Sequence, residues 1–136
     1  MDRDELINGI WDDDINKHSE KNYIYVSPCG YKCEIKRNNL WAYCGYVQLP
    51  EDHPYYDCSY HLLPHINVHG GLVYGYGGKF GFDCAHGDDI VPGTMTYRSK
   101  YPQIYKSILN GKKYWTFEEV LIETNSMALQ FFNLKN

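Results

Sequence analysis

The doublet Gly77-Gly78 lies between two runs, residues 72–76 and 79–83, that are rich in strand-forming aromatic and aliphatic side chains. Adjacent glycines can both take the positive φ of a two-residue hairpin turn, and such a turn fixes register, so positions equidistant from it face each other. Tyr76 then faces Lys79, Tyr74 faces Gly81, Leu72 faces Asp83, and His69 falls opposite His86. Cross-strand neighbours of this kind have Cβ atoms about 4.5–5.5 Å apart. A glycine bulge at Gly70-Gly71 would slip the register by one and turn one imidazole away.

Residues 65–89 hold three of the six histidines, seven of the twelve glycines and three of the seventeen acids, which makes this the segment where a site is expected. Val73 and Phe82 share the face of the two histidines, with Asn67 and Asp88 at its far end, an apolar floor beside a polar cluster. Gly70, Gly71 and Gly87 offer bare main chain whose N–H groups can hold an anion. The alternation His65-Ile66-Asn67-Val68-His69 reads as a strand, with His65, Asn67 and His69 on one face. The candidate ligand-binding residues are therefore His65, Asn67, His69, Gly70, Gly71, Tyr74, Phe82, Asp83, His86 and Asp88.

Three chemistries can use them. In a binding site, His69 and His86 donate to phosphate oxygens, Asp83 or Asp88 takes ribose hydroxyls or a base edge, and Tyr74 stacks on a nucleobase. In a hydrolytic site, His69 and His86 act as general acid and base while Asp83 or Asp88 fixes one tautomer. In a metal site, His65, His69, His86 and Asp88 are the ligands, a reading ranked third because the His-x-x-x-His step suits a helix better than a strand. No metal or other cofactor is expected. Cys84 beside His86 resembles a nucleophile next to its base, but alternate strand residues share a face without touching. His18, His53 and His61 read as surface or structural histidines, and Asp12-Asp13-Asp14 as a solvated turn.

A chain of 136 residues with 43% apolar content can bury one continuous core, so a single domain over residues 1–136 is expected. Its net charge of −4 leaves no broad basic surface for duplex nucleic acid or anionic membrane. No apolar run is long enough to span a bilayer, and the acidic start of the sequence is unlike a signal peptide, so a cytoplasmic location is expected. Five cysteines without C-x-x-C spacing read as reduced, packed thiols rather than a zinc set built on Cys29, Cys33 and Cys44.

Residues 2–11 carry a short helix signal, with Asp2 and Glu5 spaced as a capping box. Residues 23–26 read as a first strand ended by Ser27-Pro28-Cys29-Gly30. Residues 31–36 and 40–49 read as a hairpin turning at Arg37-Asn38-Asn39, and residues 50–54 as a proline-rich loop. Residues 90–111 read as loop with one or two helical turns around Ile104 and Ile108. Thr116 and Glu119 then form a second capping-box pattern, followed by Phe117, Val120, Leu121, Thr124, Ala128 and Phe131 at helical spacing over about four turns. The expected fold is α+β: a mostly antiparallel sheet, a C-terminal helix packed on it and a short N-terminal helix.

The words His69-Gly70-Gly71-Leu72-Val73-Tyr74 and Phe80-Gly81-Phe82-Asp83-Cys84-Ala85-His86-Gly87-Asp88, preceded by Cys44-Gly45-Tyr46-Val47 and His53-Pro54, resemble a family of small uncharacterised proteins frequent in bacteriophage genomes. The match spans about residues 40–130. It departs at Val73, where the family usually has threonine, and after His86, which glycine follows directly where the family often has one more small residue. Small phage proteins with polar, aromatic-lined sites resemble anti-defence proteins that capture the nucleotide signals of Thoeris or CBASS systems, which implies a cytoplasmic, oligomeric protein in the infected host. The expected function is sequestration of such a nucleotide-derived signal. The alternatives are a phosphodiesterase-type hydrolase acting on it, and a phage protein that binds a host protein.

Overall fold

The computed structural model describes residues 1–101 and 110–135. Five antiparallel strands, β1 (Asn22–Val26), β2 (Lys32–Arg37), β3 (Tyr43–Gln48), β4 (Tyr74–Tyr76) and β5 (Lys79–Asp83), form one sheet in the order β1-β2-β3-β5-β4. A short helix α1 (Asp12–Lys17) precedes the sheet and a long helix α2 (Phe117–Asn133) follows it. The fold is α+β, with α2 against one sheet face over β2 and β3. Ile35, Val47, Phe80 and Phe82 point from the sheet into a continuous apolar core, where they meet Val120, Met127, Ala128 and Phe131 of the helix. Among the described residues no helix is long and apolar enough to cross a membrane.

The strongest local signals hold. Thr116 Oγ1 accepts the Glu119 N–H at 3.3 Å and the Glu119 carboxylate accepts the Thr116 N–H at 3.1 Å, so the capping box starts α2 where the sequence places it. Gly77 and Gly78 have φ of 60° and 77°, and the β4–β5 ladder pairs Tyr74 with Gly81, Gly75 with Phe80 and Tyr76 with Lys79, the register set by the glycine doublet. The β2–β3 hairpin forms over residues 38–42. Its left-handed residue is Trp41, with φ of 67°, rather than an asparagine, while Asn38 closes the turn by accepting the Leu40 and Ala42 N–H groups.

Three expectations are corrected. The helix expected over residues 2–11 is a single 3-10 turn, Arg3–Glu5, because the backbone beyond it pairs with residues 95–97 instead of with itself: Ile7 donates its N–H to the Met95 carbonyl at 3.2 Å and Glu5 accepts the Tyr97 N–H at 3.1 Å. Residues 65–69 make no strand: Ile66 and Val68 are buried and His65 and Asn67 exposed, so the alternation survives. The backbone, however, pairs with the Gln130 side chain of α2, which accepts the Asn67 N–H at 2.7 Å and donates to its carbonyl at 2.8 Å. Asp12-Asp13-Asp14 is not a solvated turn but the start of α1. The part of the loop around Ile104 and Ile108 lies outside the described residues.

Asp14 is the acceptor at the centre of a buried charge cluster. Its Oδ2 takes Arg37 Nη2 at 3.0 Å, Tyr43 Oη at 2.8 Å and Tyr114 Oη at 2.6 Å, while Oδ1 takes the Phe117 N–H at 3.1 Å. Arg37 Nη1 donates to the Trp41 carbonyl at 2.7 Å, and its guanidinium lies 3.8 Å from the Tyr43 ring centre. Burial pushes both phenols above their ordinary range, outweighing the nearby Arg37 charge, so they stay neutral donors. Removing one partner from a buried ion pair leaves the other charge uncompensated, at a cost of about 3–5 kcal/mol. Asp14→Ala should therefore lose stability of that order in urea unfolding, with the chain tied less firmly at α1, β2 and the start of α2. A loss below about 1 kcal/mol, the size of an ordinary surface pair, would show that the cluster is not holding these elements together.

Candidate functional site

The β4–β5 ladder ends before the histidines. Val73 donates its N–H to the Gly81 carbonyl at 2.9 Å, so Val73 and Tyr74 both oppose Gly81 and the regular pairing stops there. His69 and His86 sit in the turns beyond, yet their rings meet edge to face with centroids 5.6 Å apart. Gly70 makes this possible. It has φ of +70°, and a Cβ built on it would lie 2.0 Å from His86 Nε2, so the second imidazole rests on bare main chain.

Each imidazole has a carboxylate. His69 Nε2 lies 2.8 and 2.9 Å from the two oxygens of Asp89, whose side chain is only 2% exposed. A ring nitrogen facing a carboxylate carries the proton, which leaves His69 Nδ1 with the lone pair when the ring is neutral. The same Asp89 accepts the His86 N–H at 2.9 Å, closing the 86–89 turn. His86 Nε2 approaches Asp83 Oδ1 at 3.2 Å, an ion-pair distance, but the angle makes no hydrogen bond and this nitrogen is buried without a hydrogen-bond partner.

The strap at residues 113–115 completes the cluster. Lys113 donates its N–H to the Asp88 carbonyl at 3.0 Å and accepts the Ile90 N–H at 2.7 Å, which lays the strap alongside residues 88–90. Trp115 is thereby placed on His69, with ring centroids 4.3 Å apart and planes 33° off parallel. Lys113 stands 4.6 Å from the Trp115 ring centre and pairs with Glu119 of the α2 cap. Burial alone would raise the Glu119 carboxyl, but hydrogen bonds from Lys113 and Thr116 hold it below its ordinary value. Asp89 and Trp115 are the residues missed in the sequence. Asp89 carried a signal: an acid three residues after His86 in a Gly-Asp-Asp run can accept the backbone N–H that closes a turn.

The remaining candidates scatter. His65 is exposed near the Tyr55 ring and Asn67 is tied through its main chain to α2. Asp88 and Gly87 are exposed, and no side chain would be crowded at Gly71 or Gly87. The Gly71 N–H is spent on the Val68 carbonyl at 2.9 Å, so it is not free to cradle an anion. Phe82 belongs to the core, while Val73 faces Gly81 instead of Phe82 and is exposed, so the expected apolar floor does not form as a pair. Tyr74 lies on the outer sheet face with its ring against Tyr46 rather than beside the histidines. His53 is a structural histidine: Nε2 donates to the Phe131 carbonyl at 2.8 Å and Nδ1 accepts the Tyr55 N–H at 3.0 Å. Among the described residues no three His, Cys, Asp or Glu side chains converge as ligands of a metal ion.

Cys84 is buried, and desolvation together with the Asp89 charge pushes its thiol far above the ordinary range. Cys33 is raised by burial to about 11 and Cys44 is raised likewise, whereas Cys29 and Cys58 are half-exposed. Comparison of the chain with family models, curated proteins and solved structures gives no significant match, so the chemistry of the site rests on its geometry.

Two measurements check this arrangement. Thiol labelling of the native protein near neutral pH should modify Cys29 and Cys58 and spare Cys84 until the chain is unfolded; rapid native labelling of Cys84 would contradict its burial. Gly70→Ala should cost about 1–2 kcal/mol for its left-handed backbone and should displace the His86 ring, seen as shifted imidazole resonances of both His69 and His86. Unchanged resonances would mean that the ring does not rest on residue 70.

Proposed function

We propose that this protein binds and sequesters a small, phosphate-bearing nucleotide-derived signal at the His69/His86 cluster, in the manner of phage anti-defence proteins that remove cyclic ADP-ribose or cyclic dinucleotide messengers. The observation that carries the reading is the edge-to-face imidazole pair with an aspartate behind each ring. Imidazole N–H groups donate charge-assisted hydrogen bonds to phosphate oxygens, and the carboxylates of Asp89 and Asp83 stand against the two rings to balance charge at the site. The buried Cys84 supplies no nucleophile, which favours holding a ligand over covalent chemistry. The phage and anti-defence context comes from the sequence resemblance alone.

Hydrolysis of the same signal is a second reading, favoured by one feature. A buried carboxylate fixing the tautomer of His69 is the geometry that makes an imidazole a general base towards water, with His86 at hand as acid. The two readings separate in one experiment. Purified protein is incubated with excess cyclic ADP-ribose isomers and cyclic dinucleotides, freed of unbound material, heat-denatured, and the released nucleotides are chromatographed. Intact nucleotide is expected, and His86→Ala should retain at least about tenfold less, the loss of one charge-assisted hydrogen bond. Cleaved nucleotide, with Asp89→Asn slower by about 10²-fold or more, would replace sequestration by hydrolysis. Retention of none of these nucleotides would overturn both.

A further inference from the structure

The sheet order leaves β1 at an edge, and the hydrogen-bond accounting shows what that edge presents. Ser27 donates its N–H to Tyr31 and Arg37 donates its N–H to Lys21, at 2.8 and 3.0 Å, at the two ends of the β1–β2 ladder. Inward-bonded pairs alternate with outward-facing ones along an antiparallel ladder. In the register that pairs Tyr23 with Ile35 and Tyr25 with Cys33, these two residues bond inward, and Asn22, Ile24 and Val26 turn their N–H and C=O groups to the open edge.

Among the described residues nothing on this edge defends it. The strand Asn22-Tyr23-Ile24-Tyr25-Val26 contains no charge, proline or glycine, and natural edges are ordinarily guarded by such residues or by a covering element. Ile24 is 59% exposed and Val26 68% exposed on the sheet face opposite α2. No further strand pairs with β1 among the described residues.

The three outward-facing residues are symmetric about Ile24, so an identical strand related by a two-fold axis there meets each outward N–H and C=O group with a partner. We propose that β1 is a homodimer interface: two copies pair their β1 strands antiparallel about a two-fold axis at Ile24, joining the sheets into one of ten strands. Asn22 of one copy then faces Val26 of the other and Ile24 faces its own counterpart, all three as mutually bonded pairs that supply about six backbone hydrogen bonds. The two isoleucines meet across the axis and exclude water from each other. No charge opposes a like charge within the pairing strands, because β1 carries none, and a two-fold axis closes the assembly without propagating it.

Analytical ultracentrifugation of the whole chain tests the interface. The parent protein should sediment with twice the mass of one chain at submillimolar concentration, and Ile24→Lys, an edge guard on an exposed side chain, should return it to one chain with an unchanged far-ultraviolet spectrum. Facing Cα atoms in a mutually bonded pair stand about 5.5 Å apart, within disulfide reach. Ile24→Cys should therefore form a reducible crosslinked dimer on mild oxidation, and Val26→Cys, which lies four residues out of register with itself, should not. A parent protein that stays a single chain at all concentrations, a dimer indifferent to Ile24→Lys, or equal crosslinking through Val26→Cys would each overturn the proposal.

Discussion

The buried pairing of Asp14 with Arg37 is the contact on which the rest of the structure depends, because it is where four elements of the fold are made to agree. Asp14 belongs to α1, Arg37 closes β2, Tyr43 opens β3, and Tyr114 and Phe117 lead into α2. A charge with a side chain only 2% exposed is tolerable only when its partners are all in place, so these elements order together or not at all. Hydrophobic burial supplies the larger driving force in any such domain, but it is non-directional. The ion pair with its two phenols supplies direction: it specifies how α2 enters across the sheet.

The same cluster reaches the candidate site through two adjacent residues. Tyr114 turns inward to Asp14 and Arg37, and its neighbour Trp115 turns to His69. The strap that carries both is fastened by its main chain to residues 88–90, beside Asp89. The histidine pair is thus held from two directions, by the turn that Asp89 closes beneath it and by an indole anchored through the buried charge cluster. Such support from packed, hydrogen-bonded neighbours keeps titratable side chains in one geometry while leaving their rings partly exposed.

Much of the fold was legible because its signals are local. The glycine doublet demanded a tight turn whatever lay around it, and that turn carried the register of β4 and β5. Thr116 with Glu119, followed by apolar residues at helical spacing, marked the start and buried face of α2. The meeting of His69 with His86 was legible for a less secure reason. It was inferred from a ladder that in fact stops at Tyr74, and the rings meet because Gly70 admits the His86 ring while Asp89 both closes the turn that carries His86 and bonds the His69 ring. Reading the alternation of residues 65–69 as a strand failed in an instructive way. Its burial pattern is that of a strand, but its backbone partner is the Gln130 side chain.

By itself, then, the sequence determined the α+β class, the hairpin register, the helix that covers the sheet and the two histidines whose rings meet. These follow from backbone sterics, capping and periodicity, each of which acts within a few residues. Only the tertiary structure decided that Asp89 rather than Asp88 is buried against His69, that Trp115 covers it, that Phe82 and Tyr74 are turned elsewhere, and that one of three consecutive aspartates anchors the core. Burial and partnership of a polar group depend on what the rest of the chain brings within about 3 Å of it, and adjacent identical residues differ in nothing else.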